Sequence, residues 1–213
     1  MAKYYESQTL FNYTWEQVTQ AFWNRYPNPY SSHVLSEDTI SREICDGKLH
    51  SKRLLSKTNR VPKWGERFFK AKSVFIVEES VIDPKERTLV TYTRNIGFNK
   101  IMHVVEKVTY KTSSENPGKT IAIRSAWVDS SVFGFATAIK AFGLDRFKKN
   151  CAKTVDGFNF VLHAMFPYYT AGAPLNSISH KDNLTLKTQK IKDAAKNVKV
   201  QAEQIYQNFS VKN

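Results

Sequence analysis

His33-Val34-Leu35-Ser36-Glu37-Asp38-Thr39-Ile40-Ser41-Arg42-Glu43-Ile44-Cys45-Asp46-Gly47-Lys48-Leu49-His50-Ser51-Lys52-Arg53-Leu54-Leu55-Ser56-Lys57 is the stretch that decides the fold. Asp46-Gly47 is a strong hairpin signal, because the two central residues of a type I′ turn both need positive φ. The runs on either side, near 33–45 and 48–57, therefore pair as antiparallel strands. The same pattern repeats downstream. Segments near 72–83 and 87–97 flank Asp83-Pro84-Lys85-Glu86, and segments near 101–111 and 119–129 flank Ser113-Ser114-Glu115-Asn116-Pro117-Gly118. With a first strand near 3–11 this makes seven strands, mostly in successive hairpins, and predicts an antiparallel meander.

Helical patterns frame the strands. Thr14-Trp15-Glu16-Gln17 has the form of a capping box, followed by apolar Trp15, Val18 and Phe22 in helical register. That helix must stop at Tyr26-Pro27-Asn28-Pro29, where two prolines cannot continue it. A long helical stretch from about Val132 to Phe166, ended by Pro167, follows the last strand and should lie across one face of the sheet. The organisation expected is a folded domain over 1–168, a Pro/Gly/Asn/Ser-bearing linker over 169–182 and a tail over 183–213. In the tail Ile191, Ala195, Val198, Ala202, Ile205 and Phe209 recur at three- and four-residue steps, an amphipathic helix with a Lys-rich outer face.

The chain has 213 residues, 41% hydrophobic and 13% aromatic, enough for a real core. Its formal net charge of +13 favours anionic partners: nucleic acid, an acidic protein, or a membrane rich in anionic lipid. Charge alone does not choose among them. Cys45 and Cys151 are too few for a disulfide framework and lack zinc-site spacing, so they read as structural thiols. The N-terminus shows no apolar segment of a secretory signal, and no apolar run reaches the length of a membrane span. The sequons at Asn12, Asn183 and Asn208 then read as chance.

The long helix carries charges on an apolar face. Advancing 100° per residue from Arg146, Phe135, Ile139, Phe142, Gly157, Phe160 and Ala164 fall within about 40° of it. So do Asn150 and Lys153. A second apolar stripe of Phe147, Cys151, Phe158, Leu162 and Met165 lies roughly 100–160° away. Arg146, Asn150 and Lys153 thus form a polar island in an apolar stripe. Burying an unpaired cation costs several kcal/mol, so something must offset it. One explanation is a structural ion pair, or long stems snorkelling to an edge. The other is a cavity whose ligand has an apolar body and an anionic head, as a phospholipid has.

Catalytic signals are missing. The chain has no Gly-x-Gly-x-x-Gly, Walker A loop, His-Glu-x-x-His or Gly-x-Ser-x-Gly, and its five histidines are scattered. No catalytic residue, metal site or cofactor is expected. Glu78-Glu79 on a strand reads as a solvated carboxylate with a paired neighbour. Nucleic-acid binding would need an aromatic strand platform or a known motif, and neither is present. The loop from Ser56 to Phe69 is longer than a hairpin turn, basic, and rich in aromatics. It either packs its rings on the core or forms a lid whose aromatics enter a membrane while Lys and Arg meet headgroups.

Phe22-Trp23-Asn24-Arg25-Tyr26-Pro27-Asn28-Pro29-Tyr30-Ser31-Ser32-His33-Val34 resembles the N-terminal signature of the PRELI-like family of mitochondrial intermembrane-space lipid-transfer proteins. Arg53-Leu54-Leu55-Ser56-Lys57-Thr58-Asn59-Arg60, Trp64, Thr91-Tyr92-Thr93-Arg94-Asn95 and Phe142-Gly143-Leu144-Asp145-Arg146-Phe147 fit the same family, over roughly residues 1–168. The Tyr-Ser-x-His form and the Trp-bearing loop resemble the PRELI branch, not the slowmo branch. The resemblance implies an α+β, START-like fold: a seven-stranded antiparallel sheet and a long C-terminal helix enclosing a lipid cavity. It implies a carrier, not an enzyme, moving phosphatidic acid between the outer and inner mitochondrial membranes in support of cardiolipin synthesis. It also implies a small twin-CX9C helical-hairpin partner and transient contact with anionic membranes. By position, Arg25, Lys57, Arg146 and Lys153 match the family's basic headgroup positions, with His33 and Asn150 beside them. Arg60, Val61, Lys63, Trp64, Arg67, Phe68 and Phe69 match its lid loop. A membrane-associated adaptor or a basic nucleic-acid-binding protein is the alternative.

Overall fold

A computed structural model describes residues 2–59, 63, 66, 71, 73–99 and 101–167. Seven strands form one antiparallel sheet: β1 (Lys3–Phe11), β2 (Val34–Cys45), β3 (Lys48–Thr58), β4 (Ser73–Asp83), β5 (Thr88–Asn95), β6 (His103–Thr112) and β7 (Thr120–Asp129). Their spatial order is β1-β7-β6-β5-β4-β3-β2, so β2 to β7 form the expected meander and β1 adds to its far edge. Asp46 and Gly47 both take positive φ, 51° and 73°, as a two-residue turn there demands. Strand β2 carries irregularities between Val34 and Ser36 and between Thr39 and Ser41, which leave Leu35 and Ile40 without partners in the ladder.

Helix α1 (Trp15–Phe22) begins with the expected reciprocal cap. The Gln17 amide donates to Thr14 Oγ1 at 3.4 Å and the Thr14 amide donates to Gln17 Oε1 at 2.9 Å. The helix ends at Phe22, earlier than the two prolines require. The residue before a proline is steered out of helical geometry, and Arg25 turns inward to a buried carboxylate on β4. A 3-10 turn, Pro29–Ser31, follows.

Helix α2 (Ala136–Met165) crosses the same face of the sheet, against α1, β1 and β7. Its buried residues are Ile139, Gly143, Cys151, Gly157, Phe158, Val161 and Leu162. They centre roughly 80° round the helix from Arg146, between the two stripes that the sequence shows. Arg146 and Asn150 therefore sit at the border of the buried face, half-buried, and Lys153 falls on the exposed side. The polar island loses Lys153, because two separate apolar stripes leave the phase of the helix open by about a quarter turn.

The covered face of the sheet has two halves. At one end Phe11, Ile82, Leu89, Val108, Tyr110 and Ala122 pack against Trp15, Val18, Ala21 and Phe22 of α1 and Phe158, Val161 and Leu162 of α2. This is the dry core, where each fully buried large apolar side chain contributes about 1.5–3 kcal/mol. At the other end the sheet and α2 stand apart and leave a cavity. The tail and the linker lie outside the described residues.

Candidate functional site: a basic-walled cavity beneath the long helix

The cavity has a volume of about 180 Å³. Its floor is the inward face of the upper strands, with Val74 and Ile76 of β4, Thr93 and Asn95 of β5, and Val104 and Glu106 of β6. Gly143, Phe147, Cys151 and Thr154 of α2 form the roof. Gly143 brings roof and floor together, since a Cβ there would stand 2.5 Å from Met102 Sδ and 2.9 Å from Val128 Cγ1. Asn95 shapes the rim. Its Nδ2 donates to the carbonyls of Gly97 at 2.7 Å and Met102 at 2.9 Å, while Oδ1 accepts from the Val104 amide at 2.8 Å.

Cationic groups concentrate on the wall where β3 ends. Lys57 stands on the inward side of β3, opposite Val74 of β4 and Val34 of β2. His33 precedes β2, and its carbonyl accepts from the Thr58 amide at 2.8 Å. Arg146 reaches across from α2, its Nη2 3.4 Å from the Thr58 carbonyl oxygen, which ties helix to strand at the cavity wall. Asn150 lines the cavity one helical turn further on. Thus His33, Lys57, Arg146 and Asn150 share one cavity although residues up to 117 positions apart supply them.

Arg25 and Lys153 stand elsewhere. Lys153 is exposed and does not line the cavity. Arg25 is buried and bonds Glu78 of β4. Glu78 also bonds Arg53 of β3, and Arg53 Nη1 lies 2.5 Å from Glu37 Oε1 of β2. Arg25 stacks on the Phe22 ring at 4.2 Å, and Arg53 lies over the same ring at 4.7 Å. Arg25, expected at the headgroup, is instead held in a buried ion pair. Burial alone would lower the Arg25 pKa, but Glu78 holds it above its ordinary value. Burial would likewise raise the Glu78 carboxyl, and Arg25 and Arg53 outweigh it, leaving the pKa below the usual carboxylate value. Glu78 is therefore the buried, paired member of Glu78-Glu79: it is 4% exposed, whereas Glu79 faces outward and meets Lys52 at 3.0 Å.

Glu106 escapes recognition in the sequence, as do Thr93, Asn95 and Thr154. Strand alternation shows that Glu106 shares a face with Val104 and Val108, but not that this face bounds a cavity. Of the expected lid, Lys63 is exposed and its carbonyl accepts from the Glu66 amide at 3.3 Å. Arg60, Val61, Trp64, Arg67, Phe68 and Phe69 lie outside the described residues. Among the described residues no helix is long and apolar enough to cross a membrane, and no group of three His, Cys, Asp or Glu side chains could hold a metal ion.

A seven-stranded antiparallel sheet, closed over a cavity by a long C-terminal helix, defines a START-like fold. Solved structures share it: TTHA0849 from Thermus thermophilus has a TM-score of 0.54 at 12% identity, covering 76% of this chain and 99% of that one. The Zhui aromatase/cyclase from Streptomyces sp. R1128 has a TM-score of 0.54 at 10% identity, covering 82% and 100%. These likenesses concern the fold alone.

Sequence relatives narrow the class. The PRELI-like family model matches residues 16–167, and this chain belongs to that family. PRELI domain-containing protein 1, mitochondrial, of Gallus gallus is 50% identical over 169 residues, covering 78% of this chain and 79% of its own. The Homo sapiens protein of the same name is 49% identical over 166 residues, 76% of each chain. Protein UPS1, mitochondrial, of Saccharomyces cerevisiae is 35% identical over 167 residues, covering 78% and 95%. Within the family the chain falls in the PRELI branch.

Proposed function

We propose that this protein is a mitochondrial phospholipid carrier, not an enzyme, and that its cargo is phosphatidic acid. The observation that supports the reading is the cavity itself, with apolar Val74, Ile76, Val104 and Phe147 on floor and roof and Lys57, Arg146 and His33 gathered on one wall. Such a wall offers charge-assisted bonds to phosphate, each contributing roughly 1.5–3 kcal/mol. A phosphate with no further substituent suits a tight site. Hiding the acyl chains contributes about 0.8 kcal/mol per methylene, which is why free lipid hardly crosses water unaided.

A diacyl lipid is far longer than its headgroup, so α2 and the sheet would adjust around the acyl chains when cargo is loaded. Loading at one membrane and release at another then carry lipid down its own gradient, from the outer to the inner membrane in support of cardiolipin synthesis. The intermembrane space, and a twin-CX9C partner within it, belong to the same proposal. So do the basic and aromatic positions from Arg60 to Phe69 as the membrane-contacting lid.

Transfer between vesicles tests the headgroup wall. Lys57→Ala and Arg146→Ala should each lower phosphatidic acid transfer about tenfold, with Lys57→Ala leaving the melting temperature nearly unchanged. Undiminished transfer by both variants would overturn the assignment of this wall to the phosphate.

A further inference from the structure

Glu106 is the one acidic side chain among the described residues that line the cavity. A bare carboxylate near a phosphate would oppose an anionic cargo. Its placement shows how that opposition is removed. On β6, Glu106 lies in register with Thr93 of β5 and Ala126 of β7, and Val104 and Val108 share its face. Arg124, one inward position further along β7, reaches diagonally, its Nε 2.7 Å from Glu106 Oε1. Arg124 does not line the cavity. It lies beside Glu106 on the same inward face, where it lines a small hollow with Thr9, Phe11 and Phe158 and meets the Cys151 thiol of α2. The roof adds no charge opposite: Asn150, Cys151 and Thr154 face the cavity there, and burial pushes the Cys151 thiol up to about 11, so it stays neutral.

We infer that the Glu106–Arg124 pair sets headgroup selectivity. Arg124 cancels the carboxylate from beside the cavity, so the cavity presents net cationic character and favours a bare phosphate. Unmasked, Glu106 would complement an ammonium group while Lys57 and Arg146 hold the phosphate beside it. The cavity would then suit a zwitterionic headgroup such as phosphoethanolamine. This inference rests on the phospholipid-carrier reading, and the experiment separates the two.

The full chain is assayed for transfer of phosphatidic acid and of phosphatidylethanolamine from phosphatidylcholine vesicles. The parent protein, Arg124→Gln, Glu106→Gln and the double variant are compared. The parent should favour phosphatidic acid. Arg124→Gln should lower the ratio of phosphatidic acid to phosphatidylethanolamine transfer about tenfold, and Glu106→Gln should raise it. The double variant, which removes both charges, should return the ratio close to the parent's. If the parent moves neither lipid, the carrier reading itself falls. If the parent moves phosphatidic acid but Arg124→Gln leaves the ratio unchanged, or the double variant does not restore it, the selectivity inference is overturned and the carrier reading stands. Should Arg124→Gln fail to fold, Glu106→Gln decides: an unchanged ratio overturns the inference.

Discussion

Buried charge marks the line between core and cavity. Glu78 sits between Arg25 and Arg53 on the inward face of the middle strands, and its folded-state pKa lies below the ordinary 4.5 because those cations outweigh the effect of burial. A depressed carboxylate contributes stability that is full above its unfolded pKa and is lost as pH falls through the folded one. Burial raises the neighbouring Glu37 instead, so ionising it opposes part of that gain. Glu78→Gln should lower stability at neutral pH, since two buried cations lose their carboxylate. It should also flatten the acid limb: below about pH 4.5 the parent should lose more unfolding free energy in urea than the variant does. Parallel pH curves for parent and variant would contradict this account of the pair. At this scale the sequence is partly legible. Arg146 and Asn150 stand out on the helix, and strand alternation separates Glu78 from Glu79. One partner of Glu78, Arg25, is 53 residues away, a distance over which periodicity carries no signal.

Helices and strands are placed by local chemistry, and the close approaches between them by glycine. Gly157 of α2 faces Asn28, where a Cβ would stand 2.5 Å from Asn28 Oδ1. The Asn28 side chain is committed on both sides, donating to the Arg25 carbonyl at 2.6 Å and accepting from the Tyr30 amide at 2.9 Å. Gly157→Ala must displace it, and the loss of both bonds with the overpacking should cost about 1–3 kcal/mol in urea unfolding. A variant as stable as the parent would show that the Asn28 turn is not clamped against α2. The capping box, the Asp46-Gly47 turn and all seven strands were legible because each rests on neighbours in the chain. The early end of α1 and the phase of α2 were not, since both answer to the buried charges and to the width of the cavity, which are tertiary facts.

The whole molecule divides its covered sheet face between a dry core under α1 and a cavity under the first half of α2, with the charged pairs between them. The described residues that build this division all lie before residue 168, as does the family match at 16–167. A chain ending at Pro167 should therefore fold and transfer phosphatidic acid as the full chain does. A folded truncation that no longer transfers would make the tail part of the mechanism.

The central claim is that the cavity carries a phospholipid, and mass spectrometry of lipid extracted from the purified full chain tests it most directly. After the protein is mixed with mitochondrial lipid and re-isolated by gel filtration, the account predicts bound phospholipid with phosphatidic acid enriched over its share of the mixture. Lys57→Ala should lose that enrichment. Protein that returns free of lipid, or with the headgroups of the mixture in unchanged proportion, would contradict it.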